Sequence, residues 1–519
     1  MNIKVFILYI ITMTSKLRDL FTEKYSKVSL YDDKLLSKYD NKSNKALYEI
    51  LTSPVKNYNN EYLKILKNIE TQSKIGKDHI LFYNYQKQFG NGLSDNIIVP
   101  YLDINNFVLT DLILLSNKDD CERIAKKHIK KMPNFKPLLY DSIISTTDIN
   151  HWKNQRLDLV QAFSPFELNN IMDISNKRAS KCSELLWKIS NKGKSKVNMS
   201  EFFLNETMAQ LQLALFGFSN EFQENTNSKI RGAFGGKDKG YARKYALKLI
   251  DEIKHSKGPL SEILNERKPE TNTELYGNAL ILSFAGHDTT GHTLTWLIYE
   301  LAKNQTWQRK LQREVDKFWK DQKDKKITTK DFKRLPFMTR CIMETLRLHT
   351  AVSNGTFREL IEDDMIMGKN GMVKIPKGTY IQIFNYSRHL NPELWGKDSQ
   401  DFNPIRKFKD NEIWNNEGHA FYNPSSKRFS PFTYGPRDCI GKNFAQLEMR
   451  LILLNIFKHY HFILDQKQNL EIFNNIEVNK ATMGPMDIYN PINEYNKGFR
   501  PFNNGMYVNI IKRQLDSSL

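Results

Sequence analysis

Three stretches of the chain place apolar residues at helical spacing. Residues 273–303 contain no proline and predict one long central helix. At 1.5 Å per residue, a helix of about 30 residues spans roughly 45 Å. Residues 444–457 and 208–216 predict two further helices, the second ending at Gly217. A membrane span is disfavoured for the central helix, because Asp288 lies in its middle and charge in lipid is costly.

Alternation of apolar and polar residues predicts a small amount of β structure. Residues 96–101 and 106–115 form two such runs, and a helix is expected to begin near 116–119. Shorter alternating runs follow at 380–384 and 506–511. Residues 21–75 are polar, rich in Lys and Asn, and typical of short amphipathic helices. The pattern therefore predicts a mainly α fold with a small β part.

Composition narrows the class of protein. The chain has 519 residues, of which 40% are hydrophobic and 12% aromatic, and this excludes a disordered chain. At roughly 150 residues per domain, length alone suggests about three domains. Four widely spaced cysteines form no disulfide framework and fit a reducing compartment.

The formal net charge of +19 suggests an acidic partner of some kind. Nucleic acid, an anionic membrane and an acidic protein would each suit such a surface. No basic arm with interleaved aromatic residues is present, so nucleic acid ranks last.

The amino terminus carries a short apolar run at residues 5–13, flanked by Lys4, Lys16 and Arg18. A spanning helix needs about 20 apolar residues. Residues 1–24 are therefore interpreted as a short hydrophobic segment. A weak membrane anchor, a weak signal sequence and an interfacial segment all remain open.

The most informative stretch is 432–441, where Cys439 lies among glycines just before the apolar helix. A thiolate at a helix N-terminus is favoured by the helix dipole and by free backbone amides. Such a sulfur could be a nucleophile, a redox thiol or a metal ligand, and a soft thiolate suits iron. The alternative is an inert cysteine in a turn.

This stretch resembles the haem-ligand signature of the cytochrome P450 family, F-x-x-G-x-R-x-C-x-G. The matching residues are Phe432, Gly435, Arg437, Cys439 and Gly441. The resemblance implies haem b as cofactor, with Cys439 as the axial ligand of the iron. It also implies one domain over residues 25–515, with haem between the central helix and the cysteine-loop helix, followed by a tail at 516–519.

Residues 285–290 resemble the family's oxygen-activation motif, A-G-x-D-T-T. Reduction of dioxygen consumes protons, which calls for a hydroxyl and a carboxylate beside it. The resemblance gives these roles to Thr289 and Asp288, and Gly286 is expected to leave room for oxygen. The alternative is a Thr/Gly kink in a core helix.

His287 and His292, at i and i+5, do not share a helix face well. We interpret them as residues of a solvent channel or as satisfied core residues, not as metal ligands.

Further matches imply residues that hold the haem propionates. Trp152 and Arg156 fit W-x-x-x-R and share a helix face at i and i+4. Both are expected to donate to one propionate, and Arg358 resembles the arginine that meets the second. The alternative for the first pair is an ordinary surface Trp–Arg stack.

Glu344 and Arg347 match the family's E-x-x-R, and Arg406 supplies the expected third partner. The resemblance implies a buried Arg–Glu–Arg set that locks the structure. The alternative is a surface ion pair on a helix, worth a few tenths of a kcal/mol.

The chain departs from the family between Gly217 and Gly286, which are only 69 positions apart. We expect a shortened or rearranged lid over the substrate, with a flexible joint near 231–240. Ala351 and Val352 are expected to line the pocket.

The resemblance implies a monooxygenase that inserts one atom of O2 into an apolar small molecule of the lipid, sterol or xenobiotic class. No FMN, FAD or iron–sulfur motif is present, so a separate flavoprotein reductase that uses NADPH, or a ferredoxin, must supply electrons. Lys442 and Arg450 are expected to dock this acidic donor, unless they form a solvated basic face.

Two alternatives to this activity remain open. One is a haem-thiolate isomerase or dehydratase that works without O2, and the other is a non-catalytic haem-binding protein. An intracellular location is expected, either on the cytoplasmic face of an endoplasmic-reticulum-like membrane or soluble in the cytoplasm.

Overall fold

The computed structural model describes residues 47–55, 58–74, 78–90, 92–103, 108–219, 241–323, 325–407, 426–465 and 506–514. Three expectations lie outside these residues: the hydrophobic segment 1–24, the joint near 231–240 and the tail 516–519. Within the described ranges, no helix combines the length and hydropathy needed to cross a bilayer.

Helices dominate the described residues, which confirms the mainly α prediction. They are α1 Tyr58–Lys74, α2 Asp78–Phe89, α3 Lys118–Lys127, α4 Lys136–Leu139, α5 Ile149–Leu159, α6 Pro165–Asn170, α7 Met172–Ile189, α8 Met199–Gln210, α9 Tyr241–His255, α10 Pro259–Glu266, α11 Glu274–Lys303, α12 Gln305–Gln322, α13 Pro336–Leu348, α14 Asn385–Leu390, α15 Pro392–Trp395 and α16 Lys442–His459. Helix α1 has 17 residues and is longer than the short helices expected there.

The strands are few and short. They are β1 Ile97–Asp103, β2 Val108–Leu115, β3 Val197–Asn198, β4 Thr356–Glu359, β5 Asp364–Gly368, β6 Gly371–Ile375, β7 Tyr380–Ile383, β8 Tyr460–Leu464 and β9 Tyr507–Lys512. Strands β1, β2, β7 and β9 confirm the four alternating runs to within a few residues.

The main sheet has the strand order β1-β2-β7-β4. Strands β1 and β2 are antiparallel, with Ile97 opposite Leu114, whereas β2 and β7 run parallel. Strand β4 pairs antiparallel with β7, with Arg358 opposite Ile381. The sheet therefore carries Arg358 into the interior from the carboxyl-terminal half of the chain.

A hairpin of β5 and β6 was missed in the sequence. Gly368 pairs with Gly371, so the turn consists of Lys369 and Asn370. The dipeptide Asn370-Gly371 marks a turn in the sequence, although it lies one position beyond the first turn residue.

The central helix α11 runs for 30 residues from Glu274 to Lys303, as predicted. Helix α8 crosses it closely, because a Cβ on Gly291 would lie 2.9 Å from Leu204 Cδ2. The Thr207 hydroxyl donates to the His287 carbonyl at 2.8 Å across the same contact. Small and hydroxylated residues thus let the two backbones approach.

Helix α8 continues as a π-helical segment, Leu211–Phe216. It ends at Gly217, whose φ of 70° is a left-handed conformation that favours glycine. A Cβ there would also lie 2.5 Å from the Gly258 nitrogen. The predicted helix thus ends where expected, but its last turn is π and not α.

The cysteine-loop helix α16 is buried along most of its length. One expectation for it is wrong, because Arg450 is only 2% exposed. Its guanidinium donates to the Gln446 carbonyl at 2.9 Å and to Thr339 Oγ1 at 3.0 Å, and it packs over the Phe332 ring. Because it is buried, Arg450 cannot dock a partner. The sequence could not show this, since one polar residue on an apolar helix does not reveal which face it occupies.

Candidate functional site

The loop before α16 turns tightly around its cysteine. Gly435 has a φ of 62°, and an added Cβ would lie 3.1 Å from Lys126 Cγ, so this position requires glycine. The Cys439 amide donates to the Phe432 carbonyl at 2.9 Å, which closes the turn. The turn therefore fixes the backbone that leads into Cys439.

Cys439 is the one exposed cysteine of four, all of which lie in described ranges and are unpaired. Protein nevertheless surrounds its side chain closely, so burial raises the pKa of the thiol, and the Gly441 amide partly opposes this. The exposure of Cys439 and the protein around its side chain together indicate that the sulfur faces an enclosed space. A metal ion that binds there would displace the proton and use the thiolate as its ligand.

The residue before the cysteine is held by helix α5. Arg156 Nη1 donates to the Asp438 carbonyl at 2.9 Å, and Nη2 donates to Asp438 Oδ1 at 2.6 Å. Lys442 Nζ donates to the other carboxylate oxygen of Asp438 at 2.8 Å. In the structure, Arg156 thus contacts the cysteine loop, a partner that the sequence did not suggest.

Trp152 lies one turn earlier on α5 and is buried. The Arg437 guanidinium stacks over its ring at 4.3 Å. Trp152 therefore positions Arg437, and the two residues that matched separate motifs lie together.

Three cations lie buried near one another: Lys131, Arg358 and Arg437. Lys131 Nζ and Arg358 Nη1 both donate to Thr356 Oγ1, at 2.8 and 2.7 Å. Lys131 precedes α4, and no motif pointed to it. The Lys130–Lys131 pair would have been the only signal, and such pairs are usually on the surface.

No counter-ion faces these cations among the residues that the structure describes. Burial lowers the pKa of Arg358 to about 10 and that of Arg437 to about 8, and in the latter case Arg358 adds repulsion. Burial and the two arginines hold the pKa of Lys131 well below its ordinary value. Because a guanidinium keeps its proton in proteins, these shifts express the cost of positive charge without an anion.

Unpaired donors mark where that anion would bind. Arg358 Nε and Nη2 and Arg437 Nε are buried and have no hydrogen-bond partner within the described ranges. Arg437 otherwise makes only long contacts of 3.4 Å to the Ile143 and Thr146 carbonyls. A group with two carboxylates would satisfy these donors, and the propionates of haem b fit this requirement.

The middle of α11 is partly exposed, although residues 277–283 and 290–302 on either side are buried. Its partly exposed residues are Phe284, Ala285, Gly286, Asp288 and Thr289. Thr289 Oγ1 donates to the Ala285 carbonyl at 2.9 Å. Asp288 Oδ1 lies 3.3 Å from His292 Nε2. The acid and the alcohol of the motif thus both reach open space.

Gly286 is partly exposed, but Leu211 fills the side on which a Cβ would project. A Cβ there would lie 2.9 Å from both Leu211 methyl groups. The structure therefore places Gly286 in a helix contact, and this packing is sufficient to require glycine.

The two histidines of the motif region are buried. His287 Nδ1 lies 2.8 Å from the Ser283 carbonyl oxygen, a contact within its own helix. No group of three or more potential metal-binding side chains occurs in the residues that the structure describes.

Glu344, Arg347 and Arg406 come together in the interior. Arg347 Nε and Nη2 donate to the two Glu344 oxygens at 2.9 and 2.7 Å, and Arg406 Nε donates to Glu344 Oε1 at 3.1 Å. Arg347 Nη1 also donates to the His389 and Ser399 carbonyls. The set ties α13 to the segment from 389 to 406.

The sequence did not predict a role for another buried arginine, Arg388. Arg388 Nη1 donates to the Tyr434 hydroxyl at 2.6 Å, and Nη2 donates to Ser430 Oγ at 2.7 Å. Tyr434 in turn donates to the Ser426 carbonyl at 2.7 Å. This network holds the cysteine loop at Tyr434, whereas Arg156 holds it at Asp438.

An accessible thiol in a rigid loop, close to buried cations that lack an anion, is what a haem-thiolate protein needs. The chain also matches sequences of that class. The family model described as Cytochrome P450 matches residues 237–486.

Curated relatives extend this match. Cytochrome P450 4F3 of Rattus norvegicus is 34% identical over 239 residues, 45% of this chain and 41% of the relative. Cytochrome P450 4F3 of Mus musculus is 26% identical over 393 residues, 64% and 70% of the two chains. Cytochrome P450 4F8 of Homo sapiens is 25% identical over 420 residues, 71% and 78%.

The chain is therefore similar to the cytochrome P450 family over residues 237–486, just under half of its length. This similarity confirms the resemblance inferred from the sequence, and it supports the enzyme class and the haem b cofactor that the resemblance implies. In the first alignment, the chain spans about two fifths of the length of the rat relative.

Proposed function

We propose that this chain inserts one atom of O2 into an apolar small molecule of the lipid, sterol or xenobiotic class, with electrons from a separate protein. The observation that carries the proposal is the exposed Cys439, in a loop that Arg156 holds at Asp438 and Arg388 holds at Tyr434. Haem bound there supplies a redox-active iron for dioxygen.

The haem-binding residues are proposed from their placement. Cys439 is the axial ligand, and Phe432, Gly435 and Gly441 shape its loop. Arg358, Arg437 and Lys131 bind the propionates, because they are the buried donors without an anion. Trp152 orients Arg437, and Arg156 holds Asp438.

Proton supply is assigned to the open part of α11. The Thr289 hydroxyl is bonded to the Ala285 carbonyl, and a rotation about χ1 would aim it at the space beside the helix. Asp288 is partly exposed and close to His292, so it can exchange protons with water and pass them on.

The electron donor is proposed to be an acidic flavoprotein reductase or ferredoxin. Support comes from the net charge of +19, which favours association with an acidic protein. Lys442 contributes less than expected, because it pairs with Asp438.

A membrane surface is proposed as a further partner. Hairpin β5–β6 exposes Met365, Met367 and Met372, and Ile50 is exposed beside it, where its carbonyl accepts from the Lys369 amide. Exposed apolar side chains flanked by lysines suit an anionic lipid surface. This favours the cytoplasmic face of an internal membrane over a freely soluble location.

The test of the enzyme class is a carbon-monoxide difference spectrum of the reduced, haem-loaded protein. The thiolate-type band is expected in the wild type and absent in Cys439→Ser. Substrate-dependent NADPH consumption with an added reductase separates a monooxygenase from a non-catalytic haem protein. A colourless protein after haem reconstitution would refute the proposal.

A further inference from the structure

The residue directly before the proposed iron ligand is an acid. Asp438 precedes Cys439 and is the one acidic residue between Phe432 and Gly441. Because Cys439 is proposed to bind iron as a thiolate, the Asp438 carboxylate places a second negative charge beside the ligand. Like charges so close together are unfavourable unless cations compensate them. The cations that contact Asp438 therefore determine the net charge beside the sulfur.

Two cations from different helices hold the Asp438 carboxylate. Arg156 Nη2 of α5 donates to Oδ1 at 2.6 Å, and Lys442 Nζ of α16 donates to Oδ2 at 2.8 Å. Arg156 Nη1 also donates to the Asp438 carbonyl at 2.9 Å. Each carboxylate oxygen thus accepts from its own charged donor, and such charge-assisted bonds fix both its position and its ionised form.

These three charged groups are largely shielded from bulk water. The exposed fraction of the side chain is 12% for Asp438, 17% for Arg156 and 20% for Lys442. By contrast, the ion pair of Asp363 with Lys374 has side chains that are 49% and 70% exposed. Charges away from water are less screened, so they act on neighbouring groups through space.

The sulfur of Cys439 is the neighbouring group on which these charges act. Burial is the main cause of the raised pKa of its thiol, but charge contributes as well. Asp438 acts to raise this pKa further, whereas Lys442 and Arg156 act to lower it. The acid therefore destabilises negative charge on the sulfur, and the two cations stabilise it.

We propose that Asp438, Arg156 and Lys442 together set the reduction potential of haem iron bound to Cys439, and that Asp438 lowers this potential. The inference rests on the proposed haem-thiolate function. Negative charge beside the thiolate favours the oxidised iron, because reduction adds a further negative charge at the same place. The two cations act in the opposite direction. Asp438 acts through Cys439, so it is a positioning residue and not a catalytic one.

The test is a redox titration of the purified haem-loaded protein, followed by its absorption spectrum. Asp438→Asn keeps the shape of the side chain and removes its charge. We expect the ferric–ferrous equilibrium to shift about tenfold toward the ferrous form, which is roughly 59 mV for one electron. Lys442→Met removes a cation and should give a shift of similar size toward the ferric form. Arg156 is left intact, because it also holds the loop.

The opposite signs of the two shifts separate an effect of charge from an effect of structure. In the double variant of Asp438→Asn with Lys442→Met, the two shifts should largely cancel. Asp363→Asn removes an exposed carboxylate that is also paired with a lysine, and it should leave the potential unchanged. Shifts of the same sign in the two single variants would overturn the proposal, because a loosened loop has no reason to respond to the sign of the charge.

The titration also distinguishes this inference from the proposed function. If the wild type shows the thiolate-type carbon-monoxide band and Asp438→Asn keeps the wild-type potential, the inference fails and the function stands. If the wild type shows no such band, Cys439 is not the ligand, and both fail. If Asp438→Asn does not bind haem, Lys442→Met decides, since a potential that does not fall would overturn the proposal.

Discussion

Arg156 donates two hydrogen bonds to Asp438, the residue that precedes Cys439 in the chain. The two residues are 282 positions apart, and their contact joins helix α5 to the cysteine loop. The geometry around the sulfur thus depends on a residue that was expected to contact only the cofactor.

Replacing Arg156 with Ala is expected to loosen this loop. Bonds to a charged group contribute about 1.5–3 kcal/mol, so we expect haem loss to accelerate roughly tenfold. The measurement is transfer of haem to an acceptor protein, together with decay of the thiolate-type carbon-monoxide band. Lys153→Ala, an exposed change on the same helix, is the control and should leave both unchanged.

Removal of the Glu344 carboxylate leaves two buried arginines without their shared partner. Breaking such a set by one member costs about 3–5 kcal/mol. Glu344→Ala is expected to give little haem-loaded protein and a lower midpoint in urea unfolding. Glu184→Ala removes an exposed glutamate of α7 and should behave as the wild type. Normal haem content in Glu344→Ala would refute the structural role.

The variant Arg358→Met is expected to weaken haem binding without lowering the stability of the apoprotein. Without haem, the buried charge is uncompensated, so its removal should not lower the free energy of unfolding of the apoprotein. With haem, the variant should release the cofactor about 10- to 100-fold faster, because it lacks a charged donor to a propionate. Lys374→Met, an exposed cation on β6, should change neither quantity.

Thr289→Ala removes the hydroxyl at the open part of α11. A monooxygenase is expected to continue consuming NADPH while product falls roughly tenfold and peroxide rises, since proton delivery contributes at least that factor. Thr295→Ala is a matched control, because Thr295 makes the same back-bond to the carbonyl of Gly291 at 2.8 Å. Unchanged product formation in Thr289→Ala would favour the isomerase or dehydratase alternative.

Asp364 makes the free energy of unfolding depend on pH in the acid range. Burial acts to raise its pKa, but hydrogen bonds from His128 and Lys127 and the charge of Arg123 outweigh this and lower it. A lowered carboxyl pKa contributes stability above the unfolded value of about 4 and loses it as pH falls below. Asp364→Asn should therefore cost about 1–2 kcal/mol at neutral pH. Urea titrations should show this difference shrinking below about pH 4.

The features that could be recognised in the sequence are those that residues close together in the chain determine. Glu344 and Arg347 are one turn apart on a helix, and the cysteine loop repeats a fixed spacing, so both were recognisable from a few residues. Strands β1 and β2 and helix α11 followed from periodicity, because each buries one face or its whole surface.

The contacts that could not be predicted from the sequence are those between segments far apart in the chain. Nothing near Arg156 indicated Asp438, and nothing near Lys131 indicated that it lies beside Arg358 and Arg437. Arg450 was misplaced because a long aliphatic arm lets a guanidinium bond within a core helix. Arg388 and Tyr434 are brought into contact only by the tertiary structure, so no local pattern could predict their hydrogen bond.

Leu211 occupies the notch that Gly286 leaves in the central helix. The glycine has no side chain, so Leu211 sets the space between the two helices at this turn. We expect Leu211→Ala to open a cavity beside Gly286, whereas a side chain at 286 would push the π-helical segment outward. Under the proposed oxygenation, the size of residue 211 is therefore expected to limit which molecules fit beside this turn, although no signature motif includes that position.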